Sequence, residues 1–317
     1  MSTMFLGIDG GGTKTAFVLL DAGGRQLARH DGTTSYYLEI GFDALRTLLH
    51  DGVRAVLRQA GVHAADVAHT FAGLPAHGED SGLLAAFDTL LDGIVPRSTM
   101  GNDMVCSWAG SLAGADGISL VAGTGSIAYG EWRGRSARCG GWGEVFGDEG
   151  SAHWLAREAL ALFSRMADGR AEPGPLLGLV REHFELKADL DLCGEVNGSA
   201  QRSELAQLAR LTTTAASAGD AQARQLLVRA GDELALLAAG TARNLGVPAG
   251  TPVDVSYSGG VFAAGELVLG PLQAALARRL PGAVLKRPRF GPEVGAALYA
   301  ARLAGQPLSA QALSLLS

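Results

Sequence analysis

The sequence has few of the residues that build disulfide-rich, zinc-binding or nucleic-acid-binding proteins. Its three cysteines, Cys106, Cys139 and Cys193, form no CxxC pair, so neither a disulfide framework nor a zinc site is indicated. Acidic residues outnumber basic ones by 32 to 26 with no Lys/Arg block, which argues against a nucleic-acid partner. The seven histidines form no HxxxH or HExxH pattern, and we expect His153 to lie on a helix surface.

Long apolar runs are also absent. No run approaches the roughly 20 residues that a membrane-spanning helix needs. We therefore expect no transmembrane helix and no membrane partner. The residues after Met1 lead into an apolar segment without the basic region and cleavage site of a secretory signal, so we expect a cytoplasmic protein. A composition of 47% hydrophobic and 18% charged residues is typical of globular proteins, and 317 residues suffice for two domains.

Glycine is abundant, with 45 residues that gather in clusters between apolar segments. The first half of the chain predicts the order βββαβαβα, an α/β arrangement. Its predicted strands are residues 4–8, 15–21, 25–29, 67–73 and 98–101, and its predicted helices are residues 42–59, 82–91 and 105–112. The second half starts the same order again, with strands at 118–122, 127–132, 136–139, 253–257 and 283–286 and helices at 151–166, 175–184, 203–217, 220–245, 261–280 and 292–303.

This repetition predicts two domains that arose by duplication. We expect an N-terminal domain of residues 1–115 and a C-terminal domain of residues 116–290, with residues 291–317 packing back on the first domain. The chain would then cross between the domains twice, an arrangement that suits hinge closure over a cleft.

Two glycine turns each separate a pair of predicted strands. A Walker A loop needs glycine immediately before its lysine, where this chain has Thr13, and a dinucleotide fingerprint should open a helix rather than a strand. A hairpin turn that presents N–H groups to phosphates fits both segments, and a plain hairpin turn is the alternative. The candidate phosphate-binding residues are Gly10, Gly11, Gly12, Thr13, Lys14, Gly123, Thr124, Gly125 and Ser126. Asp9, at a strand end, is placed to hold Mg²⁺ through water.

The two turns resemble the phosphate motifs of the actin/hexokinase/Hsp70 superfamily, specifically its branch of N-acetylglucosamine kinases and BadF/BadG-type ATPases. The resemblance covers nearly the whole chain in motif order and is strongest over residues 4–155. It implies two actin-like (ribonuclease H-like) domains of α/β class with a cleft between them, and ATP and Mg²⁺ as cofactors.

Asp103 is the candidate catalytic base. It follows a predicted strand at the carboxyl end, where open α/β sheets bind ligands, although Asn102 and Asp103 also suit a helix N-cap. The resemblance implies that Asp103 accepts the proton of the attacking sugar hydroxyl.

The segment of residues 139–151, CGGWGEVFGDEGS, resembles the sugar-contacting loop of N-acetylglucosamine kinases. That resemblance places Gly141, Trp142 and Asp148 on the substrate. The structural alternative is a glycine turn with Trp142 anchored in the core and Asp148 capping the next helix.

Further positions carry weaker resemblances. Gly73 lies in a segment similar to the one near the acetamido group, Gly259 and Gly260 resemble the adenosine motif, and Ala206 aligns roughly with an adenine contact. The family's sugar-contacting Asn is replaced within residues 34–37, so Tyr36 could stack on a sugar ring or pack as a surface aromatic.

Together these motifs predict transfer of the ATP γ-phosphoryl group to a small-molecule sugar, with the 6-hydroxyl of N-acetylglucosamine as the first choice. Glucosamine or another hexose is the alternative substrate. A BadF-type ATPase that drives a partner protein and a sugar sensor without turnover are alternatives of other classes. Homodimers are common among related kinases, and no residue here identifies an interface.

Overall fold

The computed structural model describes residues 3–199 and 202–316 and divides the chain into two compact units. Unit 1 contains the residues up to Asp116 together with those from Arg287 onward, and unit 2 is Gly117–Lys286. The chain therefore passes from one unit to the other twice, after Asp116 and after Lys286.

Within the part of the chain that the structure describes, each unit contains a five-stranded sheet. The strands are β1 (Met4–Gly10), β2 (Thr15–Asp21), β3 (Gln26–Gly32), β4 (Val67–Leu74), β5 (Ser98–Asn102), β6 (Gly117–Ala122), β7 (Ser126–Trp132), β8 (Arg135–Gly140), β9 (Val253–Ser258) and β10 (Ala283–Lys286). The helices are α1 (Tyr37–Ala60), α2 (Leu84–Asp88), α3 (Asp103–Leu112), α4 (Ala152–Ala167), α5 (Pro175–His183), α6 (Leu192–Ser199), α7 (Arg202–Gln207), α8 (Ala209–Ser217), α9 (Ala221–Leu245), α10 (Glu266–Arg279), α11 (Pro292–Leu303) and α12 (Ala310–Ser314).

The two sheets have the same strand order. In unit 1 the order is β3-β2-β1-β4-β5, and in unit 2 it is β8-β7-β6-β9-β10. The first three strands of each unit form an antiparallel meander, and the last two add in parallel to its first strand. The predicted α/β class with a duplicated βββαβαβα order is confirmed.

The sheet of unit 1 is covered on both faces, which explains why β1 and β2 are buried along their whole length apart from Asp9. Phe17 and Leu19 of β2 pack with Leu45 of α1, whereas Val18 and Leu20 pack with Ala297 and Leu298 of α11. A Cβ on Gly7 of β1 would lie 2.2 Å from the backbone nitrogen of Ala297. Only glycine therefore allows α11 to approach β1 so closely.

The core of unit 2 lies between its sheet and the helices α4 and α9. Ile118 and Leu120 of β6 pack there with Phe163 of α4 and Leu234 of α9. The 25-residue helix α9 begins at the N-cap Asp220, whose carboxylate accepts from the backbone nitrogens of Gln222 and Ala223. It ends where Gly246 adopts the left-handed conformation at the C-cap.

Several predicted helix bounds were wrong. The helix expected at residues 82–91 is only Leu84–Asp88, preceded by a 3₁₀ turn at Ser81–Leu83. The one expected at 203–217 is interrupted at Leu208, between α7 and α8. The one expected at 261–280 starts as the 3₁₀ helix Gly260–Ala264 and becomes α-helical only after Gly265, whose φ is +59°.

Helices α6 and α12 were not among the helices predicted from the sequence.

Across residues 3–199 and 202–316, no helix combines the length and the apolar character that crossing a membrane requires.

Candidate functional site

The first glycine turn joins β1 to β2 in unit 1. The two strands pair up to Gly10 opposite Thr15, so the turn consists of residues 11–14. The carbonyl of Gly11 accepts from the backbone nitrogen of Ser35 at 3.1 Å and from the Thr34 hydroxyl at 3.2 Å. A Cβ on Gly12 would meet no heavy atom within 4 Å, and the Lys14 side chain is exposed. The turn is thus anchored at one end and open at its tip.

The carboxyl ends of β1, β4 and β5 lie at one end of the unit 1 sheet. They bring together the predicted metal residue Asp9, the predicted sugar contact Gly73 and the predicted base Asp103. Asp9 is opposite Gly73, and Leu74 is opposite Asn102, directly before Asp103. A Cβ on Gly73 would lie 2.2 Å from the Cys106 sulfur and 3.1 Å from the Cα of Asp103. Glycine at position 73 therefore lets α3 begin close against β4.

Asp103 is the first residue of α3. The N-cap is Asn102, whose Oδ1 accepts from the backbone nitrogen of Met104 at 3.1 Å. Burial raises the pKa of Asp103 to about 6, and the negative charge of Glu79 adds to this effect. A carboxyl group with a pKa near neutrality suits a general base.

Asp9 lies in a strongly negative setting. Burial raises its pKa well above the usual value, and the charges of Asp103 and Glu293 raise it further, while the Cys106 thiol and Lys14 act in the opposite direction. A bound cation would offset this negative charge.

The described residues contain no group of three or more His, Cys, Asp or Glu side chains that could hold a metal ion. Mg²⁺ commonly binds to one or two carboxylates and keeps several waters, with phosphate oxygens completing its shell. Asp9 fits that mode of binding.

The thiol of Cys106 fills the space behind this edge. It is fully buried and donates to the carbonyl of Ile8 at a sulfur–oxygen distance of 3.8 Å. Burial raises the pKa of the thiol, and the neighbouring carboxylates of Asp9 and Asp103 raise it further. The thiol therefore stays protonated and acts as a packing group.

An ion pair between Arg29 and Glu293 was not predicted from the sequence. The Arg29 guanidinium lies 2.8 Å from Glu293 at the start of α11 and 3.2 Å from Asp31 on its own strand. Hydrogen bonds with Asp31 and Glu293 raise the pKa of Arg29. Residues 29 and 293 lie far apart in the sequence, so no local pattern could predict their ion pair. For the same reason the sequence did not reveal that the charge of Glu293 raises the pKa of Asp9.

The second glycine turn, in unit 2, is held by the first turn of α4. The backbone nitrogens of Ala152 and His153 donate to the carbonyls of Gly123 at 2.9 Å and Thr124 at 3.3 Å. The Ser126 hydroxyl donates to the carbonyl of Glu149 at 2.7 Å. His153 is therefore buried against this turn, and the expectation that it lies on a helix surface was wrong.

The strand β9 brings Gly259 to the same edge of unit 2. Val121 of β6 is opposite Ser258, and a Cβ on Gly259 would lie 2.4 Å from the carbonyl oxygen of Ala122. The φ of Gly259 is +104°, so position 259 requires glycine on two grounds. A Cβ on Gly123 or Gly260 would meet nothing within 4 Å. The predicted phosphate and adenosine motifs of unit 2 thus lie next to each other, and there is open space at Gly123 and Gly260 where a side chain would lie.

The loop after β8 displays apolar side chains at its surface. Trp142 is 67% exposed, Val145 82% and Phe146 75%, so the alternative in which Trp142 anchors the core was wrong. Gly141 has φ of +69°, and the guanidinium of Arg138 lies 5.9 Å from the centre of the Trp142 ring. This exposed ring is a flat surface of the kind on which sugars stack.

Asp148 connects that loop to the second glycine turn. It is 3% exposed, has φ of +57°, and its Oδ1 accepts from the backbone nitrogen of Ser126 at 3.4 Å. The N-cap of α4 is Ser151, which accepts from the backbone nitrogen of Trp154 at 3.1 Å. The helix-cap alternative for Asp148 was therefore wrong, and its predicted contact with sugar remains a prediction.

The two remaining predicted contacts, Tyr36 and Ala206, are partly or fully buried. Tyr36 is half-buried at the N-cap of α1 and meets Tyr37 edge to face, with ring centres 6.4 Å apart. Ala206 is buried in α7, a helix that packs against α4, and so belongs to the interior of unit 2.

Solved structures identify the architecture. A Chromobacterium violaceum protein provisionally described as an N-acetylglucosamine kinase superposes with a TM-score of 0.74 at 28% identity, covering 94% of this chain and 98% of that one. A ROK family glucokinase from Streptomyces griseus, solved with glucose and AMPPNP, gives a TM-score of 0.55 at 20% identity, covering 94% and 99% of the two chains. The fold is therefore the actin-like fold of two-domain sugar kinases.

The chain belongs to the BadF/BadG/BcrA/BcrD ATPase family, whose model matches residues 6–300. An N-acetyl-D-glucosamine kinase of Dictyostelium discoideum is 28% identical over an alignment of 311 positions that covers 94% of this chain and 97% of that protein. An N-acetylmuramic acid/N-acetylglucosamine kinase of Clostridium acetobutylicum is 36% identical over 137 residues, 43% of this chain and 45% of that protein.

Proposed function

We propose that this protein is an ATP-dependent kinase that phosphorylates an amino sugar, most directly N-acetylglucosamine at its 6-hydroxyl. Two relatives that its sequence matches are named as kinases of N-acetylglucosamine or of N-acetylmuramic acid and N-acetylglucosamine. The observation that carries the proposal is the position of Asp103 directly after β5, at the same end of the unit 1 sheet as Asp9 on β1. Burial, which raises the pKa of Asp103 to about 6, is consistent with it.

ATP is proposed to bind to both glycine turns. The open tips at Gly12, Gly123 and Gly260 leave room for a ligand next to the backbone, and the backbone N–H groups of such turns favour phosphate oxygens. Lys14 adds an exposed positive charge in unit 1.

Asp103 is proposed to be the general base. The sugar hydroxyl oxygen forms a bond to the γ-phosphorus, the bond from that phosphorus to the bridging oxygen breaks, and ADP leaves. The hydroxyl proton passes to the Asp103 carboxylate, a contribution of about 10²–10⁴ in rate. Asp9 would hold Mg²⁺ through water, and the ion would neutralise charge that develops on the phosphate oxygens.

The loop of Gly141, Trp142 and Asp148 is proposed to bind the sugar, with Trp142 against its apolar face. Gly73 and Tyr36 are proposed as further sugar contacts at the edge of unit 1. Because Tyr36 stands near the position of the family's Asn, glucosamine and other hexoses are included among the candidate substrates.

The proposal is tested by measuring ADP release with Mg-ATP and each of N-acetylglucosamine, N-acetylmuramic acid, glucosamine, glucose or no sugar. We expect turnover that depends on an amino sugar and is highest with N-acetylglucosamine. Equal hydrolysis with and without every sugar would contradict the proposal and favour an ATPase that acts on a partner protein.

A further inference from the structure

The side chain of Asn102 contacts two separate parts of unit 1. Its Oδ1 accepts from the backbone nitrogen of Met104 in the first turn of α3, at 3.1 Å. Its Nδ2 donates to the carbonyl oxygen of His77, in the loop after β4, also at 3.1 Å. Asn102 is only 9% exposed, so both bonds are largely shielded from water. A side-chain amide makes both contacts because it carries an acceptor and donors, whereas an ionised carboxylate has no donor.

The loop that Asn102 holds, residues 75–80, is tightly wound. The backbone nitrogen of His77 donates to the carbonyl of Leu74 at 3.3 Å, and that of Glu79 donates to the carbonyl of Ala76 at 3.2 Å. Ala76 has φ of +61° and Gly78 has φ of +84°. Alanine rarely adopts such a conformation unless its surroundings impose it. The bond from Asn102 to His77 falls between these two residues and fixes the loop at its centre.

This loop and α3 act on the same carboxylate. Asp103 is the first residue of α3, directly after the cap, and Glu79 in the loop is a charge that acts on Asp103. The two segments are also adjacent in the sheet, since Leu74 is opposite Asn102. One buried amide therefore fixes both the backbone that carries the candidate base and the segment that carries its charged neighbour.

We propose that Asn102 is a positioning residue for phosphoryl transfer, because its amide joins the loop of residues 75–80 to the first turn of α3 and so holds Asp103 in place. The inference rests on the kinase function proposed above. A displacement of about 1 Å in a reacting group can lower the rate about 10²-fold, so loss of this link reduces turnover even when the fold is intact.

Two substitutions separate positioning from folding. In Asn102→Ser the hydroxyl still accepts from the Met104 nitrogen as an N-cap, but the shorter side chain does not reach the His77 oxygen. Asn102→Ala removes both bonds. The matched control is Asn244→Ser, at an exposed position of α9 whose amide lies 3.4 Å from the Cys139 sulfur.

We expect the melting temperature of Asn102→Ser to be slightly lower than that of the wild type, because one buried hydrogen bond is lost, and that of Asn102→Ala to be lower still. Both variants lose about 10-fold to 100-fold in kcat while KM for ATP is unchanged, and Asn244→Ser keeps wild-type values. Hydrogen exchange of the backbone amides of residues 76–80 rises in Asn102→Ser and not in the control. This readout does not depend on activity.

The outcomes distinguish the inference from the function on which it rests. Faster exchange in the loop together with lower kcat in Asn102→Ser supports the inference. Unchanged exchange, or faster exchange with kcat within twofold of wild type, overturns it. Absence of sugar-dependent turnover in the wild type contradicts the proposed kinase itself, and the role of Asn102 in transfer then falls with it.

Discussion

Activity at acidic pH tests the role of Asp103. The pKa of Asp103 is raised to about 6 by burial and by Glu79, and a general base works only when ionised. Activity should therefore fall as the pH drops through 6. From the ionised fraction of a single group with that pKa, about nine-tenths of the enzyme is competent at pH 7 and about one-tenth at pH 5. We expect kcat/KM for the sugar to fall about tenfold between these values.

The assay is coupled ADP release at saturating Mg-ATP over pH 5 to 8, with circular dichroism at each pH to show that the protein stays folded. Asp103→Asn should lower kcat by about 10²–10⁴, and its residual activity should lack the acidic limb. Asp43→Asn, at an exposed position of α1, is the matched control and should keep the wild-type profile. An acidic limb that persists in Asp103→Asn would refute the assignment, as would a flat wild-type profile.

Three other predictions concern stability and ligand affinity. The pKa of Asp103 is raised in the folded state from 3.8 to about 6, so this carboxyl costs stability as pH rises through that window. Asp103→Asn should therefore raise the free energy of unfolding at pH 8 by at most about 3 kcal/mol, a gain that urea titration should find diminished at pH 4. In Gly12→Ala the added Cβ would meet no atom within 4 Å, so the melting temperature should be unchanged while KM for ATP rises. In Gly259→Ala the added Cβ would lie 2.4 Å from a carbonyl oxygen, so the melting temperature should fall. Equal melting temperatures for the two variants would contradict this packing argument. Trp142→Ala should raise KM for the sugar about tenfold with little effect on stability because the ring is 67% exposed, and the same increase in Val145→Ala, at an 82% exposed position of the same loop, would show that the effect is not specific to the ring.

The elements that the sequence predicted best are those with strong local patterns. The strand Thr15–Asp21, the strand Ala283–Lys286 and the helix Pro292–Leu303 have the predicted bounds. The first two are apolar and rich in β-branched or long aliphatic residues, and the helix has proline at its first position. Where the local signal was weaker, as in residues 203–217, the prediction missed the break at Leu208.

The candidate site shows the same contrast between residues in local motifs, which the sequence predicted, and residues brought in by the fold, which it did not. Glycine turns and the Asn102-Asp103 pair were visible as local motifs, and the structure places each at a sheet edge of its own unit. The charges that act on Asp9 and Asp103 come from Glu293 and Glu79, which lie in segments without a motif. Burial of His153 could not be inferred either, because it depends on the backbone contact between α4 and the second glycine turn.

The fate of the γ-phosphate of ATP tests the central claim most directly. The protein is incubated with γ-³²P-labelled ATP, Mg²⁺ and N-acetylglucosamine, and the labelled products are separated. Our account predicts that the label appears in a sugar monophosphate, in an amount equal to the ADP formed, and that Asp103→Asn forms far less of it. Label recovered only as inorganic phosphate, at a rate independent of the sugar, would contradict it.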